Sequence, residues 1–186
     1  LAVAPNGKNP LHKDWSNRDI SLDEVLSKDT DRYGIRCGDN GLMCIDVDSK
    51  HHDNPELMNK TFIDRITCSV LDLDKVVFQK TPSAGGHLFY RADTPQKNTV
   101  YSKNQEGQPL VESRGVGGQA VMYELDKCAQ IADLPVLTKR EEAVILEAAR
   151  SFHEYKRQPN SFAEYNQTTS CVDLLLEQGW TVVSED

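Results

Sequence analysis

Leu42-Met43-Cys44-Ile45-Asp46-Val47-Asp48 is the stretch from which the rest of the chain can be read. Side chains alternate faces along a strand, so Met43, Ile45 and Val47 point one way while Asp46 and Asp48 point the other. Two carboxylates then stand side by side. Like charges at that spacing repel unless a cation lies between them, and hard oxygen donors favour Mg²⁺ or Mn²⁺. Taken alone, Asp-x-Asp fits a solvated strand face as well as a metal pair. Asp is a poor strand former, however, and two of them closing an apolar strand need a reason.

Working outward, Tyr33 to Cys37 is a second β-prone run, joined to Leu42–Asp48 by Gly38-Asp39-Asn40-Gly41, a sequence suited to positive φ and hence to a hairpin. Downstream, Asn54 caps and Pro55 opens a helix expected to reach about Leu71. Val76–Gln79, His87–Arg91, Leu110–Ser113 and Gln119–Tyr123 are further strand candidates. Ser21-Leu22-Asp23-Glu24 and Thr138-Lys139-Arg140-Glu141 both have capping-box spacing. After the second box, Val144, Ala148, Phe152 and Tyr155 recur as one helix face. Arg157 to Ser161 reads as a linker, and Cys171 to Gln178 as a last helix closed by Gly179. Strands and helices mix without strict βαβ alternation, so the expected class is α+β.

The 186 residues, 38% hydrophobic and 27% charged, suffice for one globular domain with a small appendage. No run approaches the roughly 20 apolar residues of a membrane helix, and the N-terminus has no signal pattern. The expectation is a soluble, cytoplasmic protein with no membrane partner. Starting at Leu1 without methionine and stopping in Ser184-Glu185-Asp186, the sequence reads as an excerpt of something longer. Five scattered cysteines without a Cys-x-x-Cys pair read as reduced, packed thiols. The net charge of -8 argues against broad coating of DNA, although Lys8, Lys13 and Arg18, then Lys97 and Lys103, then Lys139 and Arg140 cluster locally.

Two more segments carry chemistry. In Thr81-Pro82-Ser83-Ala84-Gly85-Gly86-His87-Leu88-Phe89-Tyr90, the Gly-Gly pair permits a tight turn with exposed amides for a phosphate, and His87 stands at the mouth of the next strand. A hairpin with a hydrogen-bonded histidine accounts for the same residues. In Leu110 to Gly118, Glu112 and Arg114 share a strand face before a glycine-rich turn, an arrangement that also suits a surface ion pair. His51-His52-Asp53 reads as a solvated turn, because adjacent residues point apart. Trp15 beside Lys8 and Lys13 suits either base stacking or a core position.

In this order, the three segments resemble the N-terminal domain of prokaryotic bifunctional DNA primase-polymerases, in the archaeo-eukaryotic primase superfamily. Pro5-Asn6-Gly7-Lys8-Asn9-Pro10 with Trp15, Tyr33 to Gly38, and Tyr165-Asn166 to Gly179-Trp180 are similar too, so the resemblance spans nearly the whole chain. It implies a primase-like core, an RRM-like β-sheet module plus an N-terminal α/β module, in residues 1–135. Residues 136–186 would then be a helical extension leading toward a helicase. It also implies that Asp46, Asp48 and Glu112 hold two divalent ions, Mg²⁺ or Mn²⁺, and that His87 contacts the phosphates of an incoming NTP or dNTP. Ser83, Gly85, Gly86 and Arg114 would help to hold the triphosphate. The partners would be a single-stranded DNA template or primer-template, in replication of a phage, plasmid or other mobile element. Two positions depart from the family pattern: Glu112 stands where Asp is common, and Ala84 where Gly is.

A metal-dependent nuclease or phosphohydrolase also needs grouped carboxylates, and a primase-like module that only binds DNA is a non-enzymatic alternative. Primer lengthening, shortening or binding without turnover distinguishes the three.

Overall fold

The structure, a computed structural model, describes residues 1–154 except Asn6 and Val70. Its seven strands are β1 (Tyr33–Arg36), β2 (Leu42–Val47), β3 (Val77–Lys80), β4 (Gly86–Arg91), β5 (Thr99–Lys103), β6 (Pro109–Arg114) and β7 (Gln119–Met122). The helices are α1 (Leu22–Leu26), α2 (Pro55–Thr67), α3 (Cys128–Ala132) and α4 (Lys139–Arg150). The class is α+β, as the sequence leads one to expect.

The alternation in β2 sets the architecture, because both of its faces are covered. β2 lies at the centre of a five-stranded antiparallel sheet in the order β3-β4-β2-β6-β5. Met43, Ile45 and Val47 pack with Leu88, Tyr90 and Leu110 against Met58, Phe62 and Ile66 of α2 and Ile145, Ala148 and Ala149 of α4. The α2 residues recur every four positions, one stripe of a helix. Phe62 is wholly buried in that layer, and truncating it to alanine should cost about 3–5 kcal/mol. On the opposite face, Leu42, Cys44, Val77 and Phe89 meet Ala120 and Met122 of β7 with Ile131 and Leu134. Asp46 alone interrupts the burial of β2.

The helix starts follow from their caps. Asn54 Oδ1 accepts from Leu57 N at 3.1 Å before Pro55. Thr138 and Glu141 form a reciprocal capping box, with Glu141 Oε2 accepting from Thr138 N at 2.8 Å. At Ser21 only half of the expected box forms. Ser21 Oγ accepts from Glu24 N at 3.2 Å, but the Glu24 carboxylate turns away to Arg18 and His12.

Three expectations need correction. Tyr33–Cys37 and Leu42–Asp48 do not form a hairpin: both edges of β2 are taken by β4 and β6, so β1 pairs instead with β7 in a separate two-stranded sheet. Gly38, Asn40 and Gly41 do adopt positive φ (92°, 48° and 78°), but within a 3-10 turn that hands the chain from one sheet to the other. Strand β5, with its register shifts, was not anticipated, and α2 ends at Thr67 rather than Leu71. Cys37 and Cys44 are packed thiols, with burial pushing the Cys37 thiol up to about 12, whereas Cys68 is exposed. Tyr155, the linker at 157–161 and the helix at 171–178 lie outside the described residues.

Candidate active site

A single row of polar side chains crosses four strands. Gln79 is the register partner of His87, His87 of Asp46, and Asp46 of Glu112, on β3, β4, β2 and β6. Directly opposed residues share a sheet face. This row lies on the face away from α2 and α4, because Asp46 has the parity of Cys44 and not of Ile45.

Polar and charged contacts knit the row together. His87 Nε2 lies 3.5 Å from Asp46 Oδ1. Arg114 Nη2 is 3.4 Å from Asp46 Oδ2 and also contacts Glu112 Oε1, two positions back on the same face of β6. Asp48 follows the end of β2. Its N–H donates to Leu110 O at 2.9 Å, and its carboxylate takes Lys50 Nζ at 2.6 Å.

Burial and charge pull these groups in opposite directions. The Glu112 carboxyl lies above its ordinary range: burial is the main cause, Arg114 opposes it, and Asp46 and Asp48 reinforce it. Burial lowers the His87 imidazole, against the pull of Asp46 and with help from Lys8 and Arg114. Burial also disfavours the Arg114 cation, but Glu112 and Asp46 outweigh it and the net shift is upward. The Asp48 hydrogen bond raises Lys50.

Asp46, His87 and Arg114 open on a cleft of about 280 Å³, whose other walls include Lys8, Trp15, Asn98, Gly117, Gly118 and Tyr123. A lining that combines the Asp46 carboxylate, the Lys8 and Arg114 cations and the Trp15 and Tyr123 rings suits a ligand with both phosphates and a ring. The Tyr123 ring stands 5.8 Å from that of His87, tilted by 42°.

The loop before β4 faces elsewhere. Gly85 and Gly86 are buried, and neither has positive φ. A Cβ on Gly85 would strike the Val47 carbonyl, and one on Gly86 the Phe78 ring. Their glycine identity thus serves close packing of β4. The left-handed residue of this turn is Ala84, φ 61°. Ser83 is exposed, with its Oγ 3.2 Å from Thr81 Oγ1. Thr81, Pro82, Ala84 and Gly85 line a second cavity, of about 650 Å³, with residues of α2.

The structure therefore brings Asp46, His87, Glu112 and Arg114 together and sets Asp48 just beyond them. It does not bring Ser83, Gly85 or Gly86 to the cleft. Among the described residues no three His, Cys, Asp or Glu side chains converge as a metal shell. Arg114 and Lys50 take up the carboxylate oxygens. The donor set itself, all carboxylate oxygen, suits Mg²⁺ or Mn²⁺ once those cations move aside.

Sequence reasoning missed Gln79, Asn98 and Tyr123 as site residues, and it placed Lys8 with Trp15 and the Pro5–Pro10 motif but not with Asp46 and His87. Gln79 carried a readable signal, a polar residue with the parity of Val77 in a short apolar strand. Asn98 and Tyr123 carried none, since their place depends on how β5 and β7 pack.

A family model described as bifunctional DNA primase/polymerase, N-terminal, matches residues 1–124. That span holds the seven strands of the described residues and the whole polar row. No curated protein matches the chain. Among the described residues, no helix is long and apolar enough to cross a membrane. On the family match, the chain belongs to the bifunctional DNA primase/polymerase N-terminal family, primase/polymerase-type nucleotidyltransferases.

Proposed function

We propose that this chain is a template-dependent nucleotidyltransferase that synthesises and extends primers, with Asp46, Asp48 and Glu112 as the ligands of two divalent ions. The observation that supports this most is the placing of Asp46 between His87 and Glu112, with Arg114 touching both carboxylates at the mouth of a cationic cleft. Bound Mg²⁺ or Mn²⁺ would activate a primer 3′-hydroxyl and neutralise the charge of departing pyrophosphate. Phosphoryl transfer depends chiefly on positioning and charge, so the chain need supply no covalent nucleophile.

The protein groups divide the remaining work. Asp46 and Glu112 hold their oxygens together across the β2–β6 ladder, and Asp48 adds a third carboxylate at the strand end. Arg114, exchanged from the carboxylates to a triphosphate, keeps its charge and offers a planar fork of N–H donors. Lys8, in the lining of the same cleft, adds a second cation, and Trp15 and Tyr123 supply surfaces on which a base can stack. Ser83, Gly85 and Gly86 set the start of the strand that carries His87. The substrates are an NTP or dNTP on a single-stranded template or primer-template, and the setting is replication of a mobile element.

Labelled primer-template with Mn²⁺ and nucleotides tests this reading. Lengthened primers are expected. Shortened primers would point to a nuclease, and binding without turnover to a recruiting module.

A further inference from the structure

We propose that Gln79 is a positioning residue that locks His87 as its Nε2–H tautomer, so that His87 offers the cleft an N–H donor and no basic lone pair. The use of that donor on a phosphate rests on the nucleotidyltransferase reading; the tautomer itself does not.

Gln79 is 1% exposed, and its amide is saturated. Oε1 accepts from Tyr123 N at 3.1 Å and from Glu124 N at 3.3 Å. Nε2 donates to Val121 O at 2.8 Å and lies 2.8 Å from His87 Nδ1. Flipping the amide would set its NH₂ against two backbone N–H donors and its oxygen against a carbonyl, leaving buried groups unsatisfied. Three backbone groups therefore dictate which end of Gln79 faces the histidine. The facing end is a donor. The Val121 carbonyl also lies beside the ring, but it accepts from Gln79 Nε2, and a proton on Nδ1 would place two donors 2.8 Å apart, so Nδ1 carries the lone pair and Nε2 the hydrogen.

The chemical consequence concerns what His87 can do. Nε2 is the nitrogen directed at Asp46 and the cleft. With Nδ1 engaged by Gln79, no unprotonated ring nitrogen faces the substrate. His87 therefore donates to an anionic oxygen and does not take the proton of a primer hydroxyl. The lock spans two sheets, since Gln79 belongs to β3 while Val121, Tyr123 and Glu124 lie in or just after β7. Lys80 N to Glu124 Oε1 at 3.0 Å and Lys127 Nζ to Phe78 O at 2.5 Å fasten the same junction.

The test is side-chain ¹⁵N NMR of the whole chain at neutral pH, with the His87 signals identified by their loss in His87→Gln. The expected pattern in the unaltered protein is a protonated Nε2 and a bare Nδ1. Gln79→Glu can accept the two backbone N–H groups but cannot donate to the ring, so the tautomer should reverse to Nδ1–H. Gln79→Met keeps the volume and removes every bond, which should give a mixture of tautomers and about tenfold weaker binding of a nucleoside triphosphate. Nδ1–H in the unaltered protein overturns the proposal, and so does an unchanged tautomer in a folded Gln79 variant. Should both variants unfold, the unaltered protein still decides. The predicted NMR pattern without primer extension would support the lock while removing the nucleotidyltransferase reading.

Discussion

His87 Nε2 lies 3.5 Å from Asp46 Oδ1, and the two residues are register partners on adjacent antiparallel strands. Residues distant in sequence are thereby held by a backbone ladder, which resists drift far better than a loop would. Glu112 joins from the other side through the same kind of pairing. The site is thus a property of the sheet, and its chemistry can be altered without dismantling the core.

Asp46→Ala should reduce nucleotide incorporation by at least about a hundredfold, the scale of losing one preorganised charge group, while leaving the fold intact. Asp46 packs on no apolar cluster, and Arg114 keeps Glu112 as a partner in its absence. Primer extension alongside circular dichroism checks both halves.

Ala84→Gly should stabilise the protein. A non-glycine residue at φ 61° carries left-handed strain of about 1–2 kcal/mol, partly offset by the added freedom of glycine in the unfolded chain. A net gain of about 0.5–1 kcal/mol in urea unfolding is expected. It also explains why glycine suits this position.

Gly86→Ala should do the reverse. Its Cβ would meet the Phe78 ring and the Asn59 side chain, and burial leaves little room to yield. A loss of about 1–3 kcal/mol is expected, visible as a lower urea midpoint before any effect on nucleotide binding.

The acid limb of stability should report on Glu141. Hydrogen bonding to Lys75 and to Thr138 holds its carboxyl at about 2 in the folded chain, against 4.5 when free. A depressed carboxylate contributes stability above the unfolded value and loses it as pH falls toward the folded one. Glu141→Gln should therefore be less stable near neutrality and show a shallower decline below pH 4.5. Thermal melts across that range measure the slope.

Much of this was legible in sequence because it was local. The alternation of Met43 to Val47, the Asn54-Pro55 helix start, the Thr138–Glu141 box and the shared face of Glu112 and Arg114 each depend on neighbours along the chain, whereas Asp48 falls just past the strand, at the N-cap of a 3-10 turn. Pairings were not legible. Nothing near Tyr33 says that it will meet Met122 rather than the strand immediately following, and Gly38 to Gly41 suits a hairpin or a handover between sheets equally well. Gly85 and Gly86 looked like a phosphate turn because their packing against Val47 and Phe78 is invisible until β3 and β4 are set side by side. Gln79 acquires its role only when the end of β7 arrives above it.

The most direct measurement is Mn²⁺ binding by electron paramagnetic resonance, with a non-hydrolysable nucleoside triphosphate present, in the unaltered protein, Asp46→Asn and Glu112→Gln. Uncharged amides keep the shape of the site and remove the ligand charge. Mn²⁺ should bind the unaltered protein and each variant at least about tenfold more weakly. Equal binding by all three would contradict the assignment of these carboxylates as metal ligands.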